Sequence, residues 1–286
     1  MTIVDFIGVA SGVGAQDHGC EAGPEALHST CISSHLCENP VQWLTTLYPP
    51  PAQDDLHTIQ LLCRGLSEQV ERSVDASHRF AVFSGDHSSA IGTWSGARAA
   101  QPVDAALGLI WVDAHMDSHT PETSPSGAIH GMPLACLLGH GPDELTKLRA
   151  ISPVLLPQNV VLIGVRSFEV GERALLSSLG VHIYYMDEVR QRGLETVMRE
   201  AHQRVTQSSS QFGISIDLDA VDPAEAPGVG SPEQGGIHGD ELLSALATVV
   251  ADPAFVGIEI SEYNPAHDVG QKTAQLALAL ANTIVR

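Results

Sequence analysis

Seven short apolar runs, most of them closed by a polar cluster, constrain this chain more than any other feature. They fall at 3–9 (IVDFIGV), 80–84 (FAVFS), 106–113 (ALGLIWVD), 159–165 (NVVLIGV), 181–186 (VHIYYM), 212–219 (FGISIDLD) and 254–260 (AFVGIEI). Runs of this length, apolar on both faces, suit strands buried between two helix layers. Helical stretches alternate with them at 53–77, 87–100, 130–139, 169–179, 187–206, 239–251 and 268–283. In 187–206, Val189, Leu194, Val197, Met198 and Val205 fall near one stripe, as an amphipathic helix requires. Strand alternating with helix predicts an α/β fold, a mostly parallel sheet with helices on both faces. There is no repeat or low-complexity linker, and the Pro-rich YPPPAQ (48–53) reads as a surface loop, so residues 1–286 are expected to form one domain.

Ligands in such sheets sit beyond the carboxyl ends of the strands. Four polar clusters stand there: SGDHSS (84–89), DAHMDSH (113–119), DLDAVDP (217–223) and SEYNP (261–265). Asp113, His115, Asp117 and His119 occupy every second position. In an extended segment they would share one face, and Asp217 and Asp219 would do the same. Ionisable groups gathered this closely need a partner. His87, Asp113, His115, Asp117, Asp217 and Asp219 offer carboxylate and imidazole without thiolate, which suits manganese or a similar divalent ion. Six ligands exceed the needs of one catalytic ion and fit a pair, whose four positive charges four aspartates would balance. Taken alone, the DxHxD run is equally compatible with helix capping, and the Asp217–Asp219 pair with turn chemistry before Asp222–Pro223. The three clusters together favour metal.

Composition narrows the partners. Thirty-four acids against 14 Lys plus Arg give a formal charge of −20. Such a surface repels nucleic acid and anionic membranes, and it can draw in a small cation. No apolar run reaches the roughly 18 residues of a membrane span. The first basic residue is Arg64, so no secretory or transit leader is expected. The five cysteines, Cys20, Cys31, Cys37, Cys63 and Cys136, form an odd set without a CxxC pair and read as reduced cytoplasmic thiols. A phosphate-binding GxxxxGK[ST] loop, a complete dinucleotide glycine motif and a GxSxG elbow are all absent.

The chain resembles the ureohydrolases, the arginase and agmatinase superfamily, and most closely its bacterial-type arginase branch. The resemblance is carried by SGDHSSAIGT, DAHMDSHTPETSPSGAIHGMPLACLLG, SIDLDAVDPAEAPGVGSPEQGG and EISEYNP, with GCEAGPEAL and KTAQLALAL at the two ends. It implies a three-layer α/β/α sandwich, two manganese ions per subunit on the six residues above, and hydrolysis of a guanidino group to urea and an amine. It further implies that the ions activate water, that Glu262 receives the guanidinium through two parallel hydrogen bonds, and that His130 transfers protons. Asp86 and Asp222, beside ligands, would orient them or cap turns. Homotrimers or hexamers are the family's common assemblies, and a small cationic guanidino compound is the expected partner.

The match departs from the family around the substrate's remote end. Ser124 and Ser126 keep hydroxyls expected to bind a carboxylate, and Glu172 keeps a nearby acid. His119 stands where arginases carry asparagine, Ala128 replaces the asparagine usual in SGNxHG, and Glu169 replaces an aspartate that faces the α-ammonium group. His119 is accordingly expected at the pocket rim, with a place among the metal ligands as the alternative. L-Arginine is therefore the leading substrate; agmatine, another guanidino acid, hydroxyarginine or formiminoglutamate would keep the chemistry and change the tail. A reading of another class, an inactive metal-stabilised scaffold, requires a lost ligand, His130 or Glu262, and none is lost.

Overall fold

A computed structural model describes residues 2–38 and 40–285. Its strands are β1 (Val4–Val9), β2 (Val41–Leu47), β3 (Arg79–Ser84), β4 (Leu107–Val112), β5 (Val160–Val165), β6 (His182–Tyr185), β7 (Gln211–Asp217) and β8 (Phe255–Ser261). All are parallel, in the order β2-β1-β3-β8-β7-β4-β5-β6. The four central strands, β3, β8, β7 and β4, are those that precede the polar clusters. Their ends finish level, because Phe83 pairs with Ile260, Asp217 with Ser261, and Val112 with Ile216.

Side chains alternate across this sheet into two cores. One holds Phe6, Ile110, Val112 and Ile258 against α1 (Gly23–Ser33), α7 (Met186–Arg192), α8 (Leu194–Thr206), α9 (Gly239–Ala247) and α10 (Lys272–Asn282). The other holds Ile7, Leu109 and Trp111 against α2 (Asp55–Asp75), α3 (Ala90–Ala99), α4 (Pro133–Leu137) and α6 (Val170–Leu179). A short α5 (Asp143–Thr146) lies between α4 and β5. The architecture is the expected three-layer sandwich. Gly213 lets the buried Trp94 of α3 lie flush on β7, since a Cβ there would overlap its indole.

Four details depart from the sequence expectations. β2 and α1 lie outside the apolar runs and helical stretches read from the sequence. The stretch 187–206 is two helices, because Gly193, at φ 81°, ends α7 before α8 begins. Cys31 and Cys37, expected as free thiols, form a disulfide across the turn that closes α1, with Cα atoms 5.5 Å apart. The hydrogen bond from Leu36 N to Cys31 O folds that turn and brings the two together. Cys20, Cys63 and Cys136 are free and buried.

Candidate active site

The ladder of β4 stops at Val112, so pleating does not align Asp113, His115 and Asp117 as the alternation suggested. They converge through a loop instead. Asp113 Oδ1 accepts the N–H of His115 at 2.7 Å, an Asx turn, while Trp111 Nε1 donates to Oδ2 at 2.8 Å. Asp117 then takes φ 45°, in the left-handed region, and its carbonyl accepts Leu134 N at 2.9 Å. Asp217 and Asp219 likewise meet through a turn: Asp217 Oδ1 accepts Asp219 N at 2.9 Å as a 3-10 turn opens.

The six residues form two donor groups that share Asp113. His87, Asp113, Asp117 and Asp217 make one; Asp113, His115 and Asp219 make the other, and in each the donor atoms lie within 4.8 Å of one another. His119 belongs to neither; it meets Glu169 and Glu172. Burial, then the charge of Asp113, pushes Asp117 up to about 6. Burial, then Asp219 and Asp113, raises Asp217 well above the usual range. Like-charged carboxylates in such a place call for cations.

His87 supplies the sharpest test of fit. Its Nε2 lies 3.0 Å from Ser215 Oγ; that hydroxyl donates at 3.0 Å to Glu259 Oε2, and Thr93 Oγ1 donates to Glu259 Oε1 at 3.0 Å. Because Ser215 spends its proton on Glu259, its oxygen accepts Nε2–H, and Nδ1 is the nitrogen that faces the donor cluster. Trp111 stacks on the ring with centroids 4.3 Å apart. Nδ1 lies 3.0–3.4 Å from the carboxylates of Asp113, Asp117 and Asp217, yet is in hydrogen-bond geometry with none. A buried ring nitrogen aimed among three carboxylates, without a hydrogen-bond partner, fits a metal ion. His115 Nδ1 faces Asp219 at 3.1 Å in the same manner.

Glu262 also adopts a left-handed backbone, φ 67°, fixed by its N–H to Gly85 O at 2.7 Å. Its Oε1 accepts the N–H of His87 at 2.9 Å and Nδ1 of His130 at 3.0 Å. The two parallel bonds expected of this carboxylate are thus not both free: Oε1 is engaged and Oε2 remains. Burial opposes charge on His130, but the hydrogen bond and charge of Glu262 outweigh it and lift the imidazole to about 9. With Nδ1 donating to Glu262, Nε2 is the nitrogen left for exchange.

Above these groups opens a cleft of about 210 Å³, lined by His115, Asp117, Asp217 and Asp219 below and by His119, Ser124, Ser126, His130, Glu169, Glu172 and Glu262 around it. Ser124 Oγ accepts Gly127 N at 2.9 Å and Ser126 Oγ accepts Ala128 N at 3.2 Å, so both hydroxyl protons remain available. Glu172 uses both oxygens on backbone: Ser118 N at 3.2 Å and Glu169 N at 3.0 Å. It tethers the rim rather than offering a free carboxylate. Asp86 caps the turn bearing His87 through Ser88 N at 2.9 Å, and Asp222 accepts Ala224, Gly235 and Gly236.

No sequence motif singles out Ser215 and Glu259, which stand behind His87, or Ser231, which lines the cleft. An acid inside the apolar run FVGIEIS was the available signal for Glu259, because a buried carboxylate needs partners. Arg166, also unmarked by the sequence pattern, donates to the carbonyls of Asp219, Ala220, Glu233 and Gln234 and staples the loop after β7.

A sequence profile of the Arginase family matches residues 3–285. The arginase of Bacillus caldovelox is 35% identical over 297 residues, which cover 99% of this chain and 98% of that protein. The native structure of that enzyme at pH 5.6 matches at a TM-score of 0.92 and 34% identity, covering 100% of this chain and 98% of that one. The Entamoeba histolytica arginase, solved in complex with L-ornithine, matches at a TM-score of 0.90 and 28% identity over 99% of each chain.

Proposed function

The chain belongs to the arginase family, and from that premise we propose that it hydrolyses L-arginine to L-ornithine and urea. The observation that carries this reading is the shared-Asp113 pair of donor groups at the floor of a cleft whose wall bears Glu262 and His130. His87, Asp113, Asp117 and Asp217 would hold one divalent ion, and Asp113, His115 and Asp219 the other. Oxygen and imidazole donors without thiolate favour manganese, two ions per subunit. Bound there, the ions supply a nucleophile at neutral pH by lowering the pKa of water.

The chain's own residues do the rest. Glu262 Oε2, the free oxygen, accepts guanidinium N–H groups and holds the reacting carbon over the floor. His130, oriented by Glu262 through Nδ1, protonates the leaving amine from Nε2. The hydroxyls of Ser124 and Ser126 donate to the substrate carboxylate, and Glu169 receives its ammonium group. The cleft carries no Lys or Arg, which disfavours a dianionic tail such as that of formiminoglutamate.

We further take residues 1–286 as one domain, a reading supported by a sheet that draws strands from Val4 to Ser261, and we assign a homotrimer or hexamer by family membership. Among the described residues no helix is long and apolar enough to cross a membrane. Three buried free thiols support a cytoplasmic setting, while the Cys31–Cys37 bond weighs against it.

Urea release by manganese-loaded protein tests the function across L-arginine, agmatine, guanidinobutyrate and hydroxyarginine, with formamide followed for formiminoglutamate. Strongest turnover of L-arginine is expected. Turnover of another member alone would reassign the substrate, and silence on all with two metals bound would favour the scaffold.

A further inference from the structure

His119 is almost fully buried, and both ring nitrogens are engaged. Nε2 stands 3.0 Å from Glu169 Oε2 and 3.5 Å from Glu172 Oε2; Nδ1 stands 3.2 Å from Thr123 Oγ1. Carboxylates only accept, so Nε2 carries a proton in either charge state of the ring. The ring itself is fixed. Its backbone N–H donates to Gly131 O at 2.9 Å, and Thr123 Oγ1 is held by Thr120 N at 2.9 Å. Glu169 is the opposite case. Its side chain is 59% exposed at the N-cap of α6, between the exposed Phe168 and Val170, where it shares a capping box with Glu172, and a glutamate has three torsions to lose. Glu172 cannot replace it, since both its oxygens already hold backbone N–H groups.

We infer that His119 is a positioning residue for substrate specificity: it turns Glu169 inward by one hydrogen bond to Oε2 and leaves Oε1 to receive an ammonium group at the end of the substrate remote from the guanidinium. The inference rests on the arginine-hydrolase reading above. Glu169 makes the contact with substrate, and His119 acts only through it. The buried imidazole thereby gives the longer, exposed acid a side-chain partner on the cleft side, beside the capping box it shares with Glu172.

The test uses the metal-loaded full chain and four variants, H119A, H119Q, E169Q and H119A/E169Q, with metal content checked in each. KM and kcat are measured on L-arginine, and the Kd of L-ornithine by calorimetry. H119A is expected to raise KM and the ornithine Kd about tenfold while kcat moves less than about threefold. H119Q, which keeps an amide donor near the Nε2 position, should recover most of the loss. E169Q should cost at least as much as H119A, and the double variant no more than E169Q alone, because both changes remove one interaction. Single effects that multiply in the double variant, or a loss in kcat with ornithine binding intact, would overturn the assignment. Wild-type protein that releases no urea from L-arginine would overturn the hydrolase reading, and this assignment with it.

Discussion

At the scale of residues, the chain from His87 through Ser215 to Glu259 decides which nitrogen faces the donor cluster. All three are buried at 1% exposure or less, so each hydrogen bond has no competing water. Ser215→Ala leaves Nε2–H without an acceptor and frees the ring to present the wrong nitrogen. Loss of such an outer partner typically costs 10–100-fold in metal affinity, roughly the range expected here. Calorimetric manganese titration of the variant checks it; a lowered melting temperature with unchanged affinity would reduce the chain to packing. His130→Asn should lower kcat on L-arginine by about 10²–10⁴-fold, the usual range for a lost proton-transfer group, with metal content unchanged. A kcat within tenfold of wild type would remove His130 from proton transfer. The six ligand candidates were legible because histidine and aspartate in those clusters announce themselves in one dimension. Ser215 and Glu259 were not, because their role arises only where β3, β7 and β8 lie side by side. The same holds for Glu262: its residue type was legible, but the commitment of one oxygen to His87 and His130 was not.

At the scale of elements, apolar runs exposed the central strands and hid the edge. β2 reads VQWLTTL and buries only its first residue fully, since an edge strand meets one neighbour and has little to hide. α1 opens on Gly-Pro and contains Thr and Ser, so neither propensity nor periodicity marks it. The loops carrying the ligands are where period-2 logic failed: Asp117 and Glu262 occupy left-handed backbone that costs of order 1–3 kcal/mol each. The sheet beneath must hold them there, and its rigidity depends on flush packing against the helices. Gly213→Ala drives a methyl into the indole of Trp94, with β7 on one side and α3 on the other. Overpacking of this kind costs about 1–3 kcal/mol. Thermal unfolding should show that loss, accompanied by weaker manganese binding because β7 bears Asp217. A variant as stable as wild type would mean that α3 shifts freely, contrary to the rigid platform described.

At the scale of the whole molecule, stability, pH and metal are linked. In the metal-free protein burial pushes Asp117 up to about 6, Glu259 to about 7 and Glu172 to about 8, and it raises Asp217 and Asp219 as well. Against burial, Glu262 lifts His130 to about 9. Unfolded carboxyls titrate near 4 and histidine near 6.5. The folded state therefore binds more protons than the unfolded one at Asp117 between about pH 4 and 6, at Glu259 and Glu172 from about pH 4 up to about 7 and 8, and at His130 between about 6.5 and 9. Stability contributed by a raised group is complete below its unfolded pKa and is lost as pH rises through its folded value. Each proton of difference is worth about 1.4 kcal/mol per pH unit. His182, lowered by burial, has the opposite sign but is a single half-buried group. The metal-free protein should thus lose melting temperature steadily from pH 6 to pH 8.5. Ion binding reverses the slope, because ligands must shed protons to bind and the bound charge removes the repulsion among them. The gap between manganese-loaded and chelator-treated protein should then widen over the same interval. Scanning calorimetry at three pH values, with and without chelator, measures both. A metal-free protein that grows more stable toward pH 8.5 would mean that the carboxylate cluster is relaxed without its ions, which would remove the electrostatic basis for the two-ion reading.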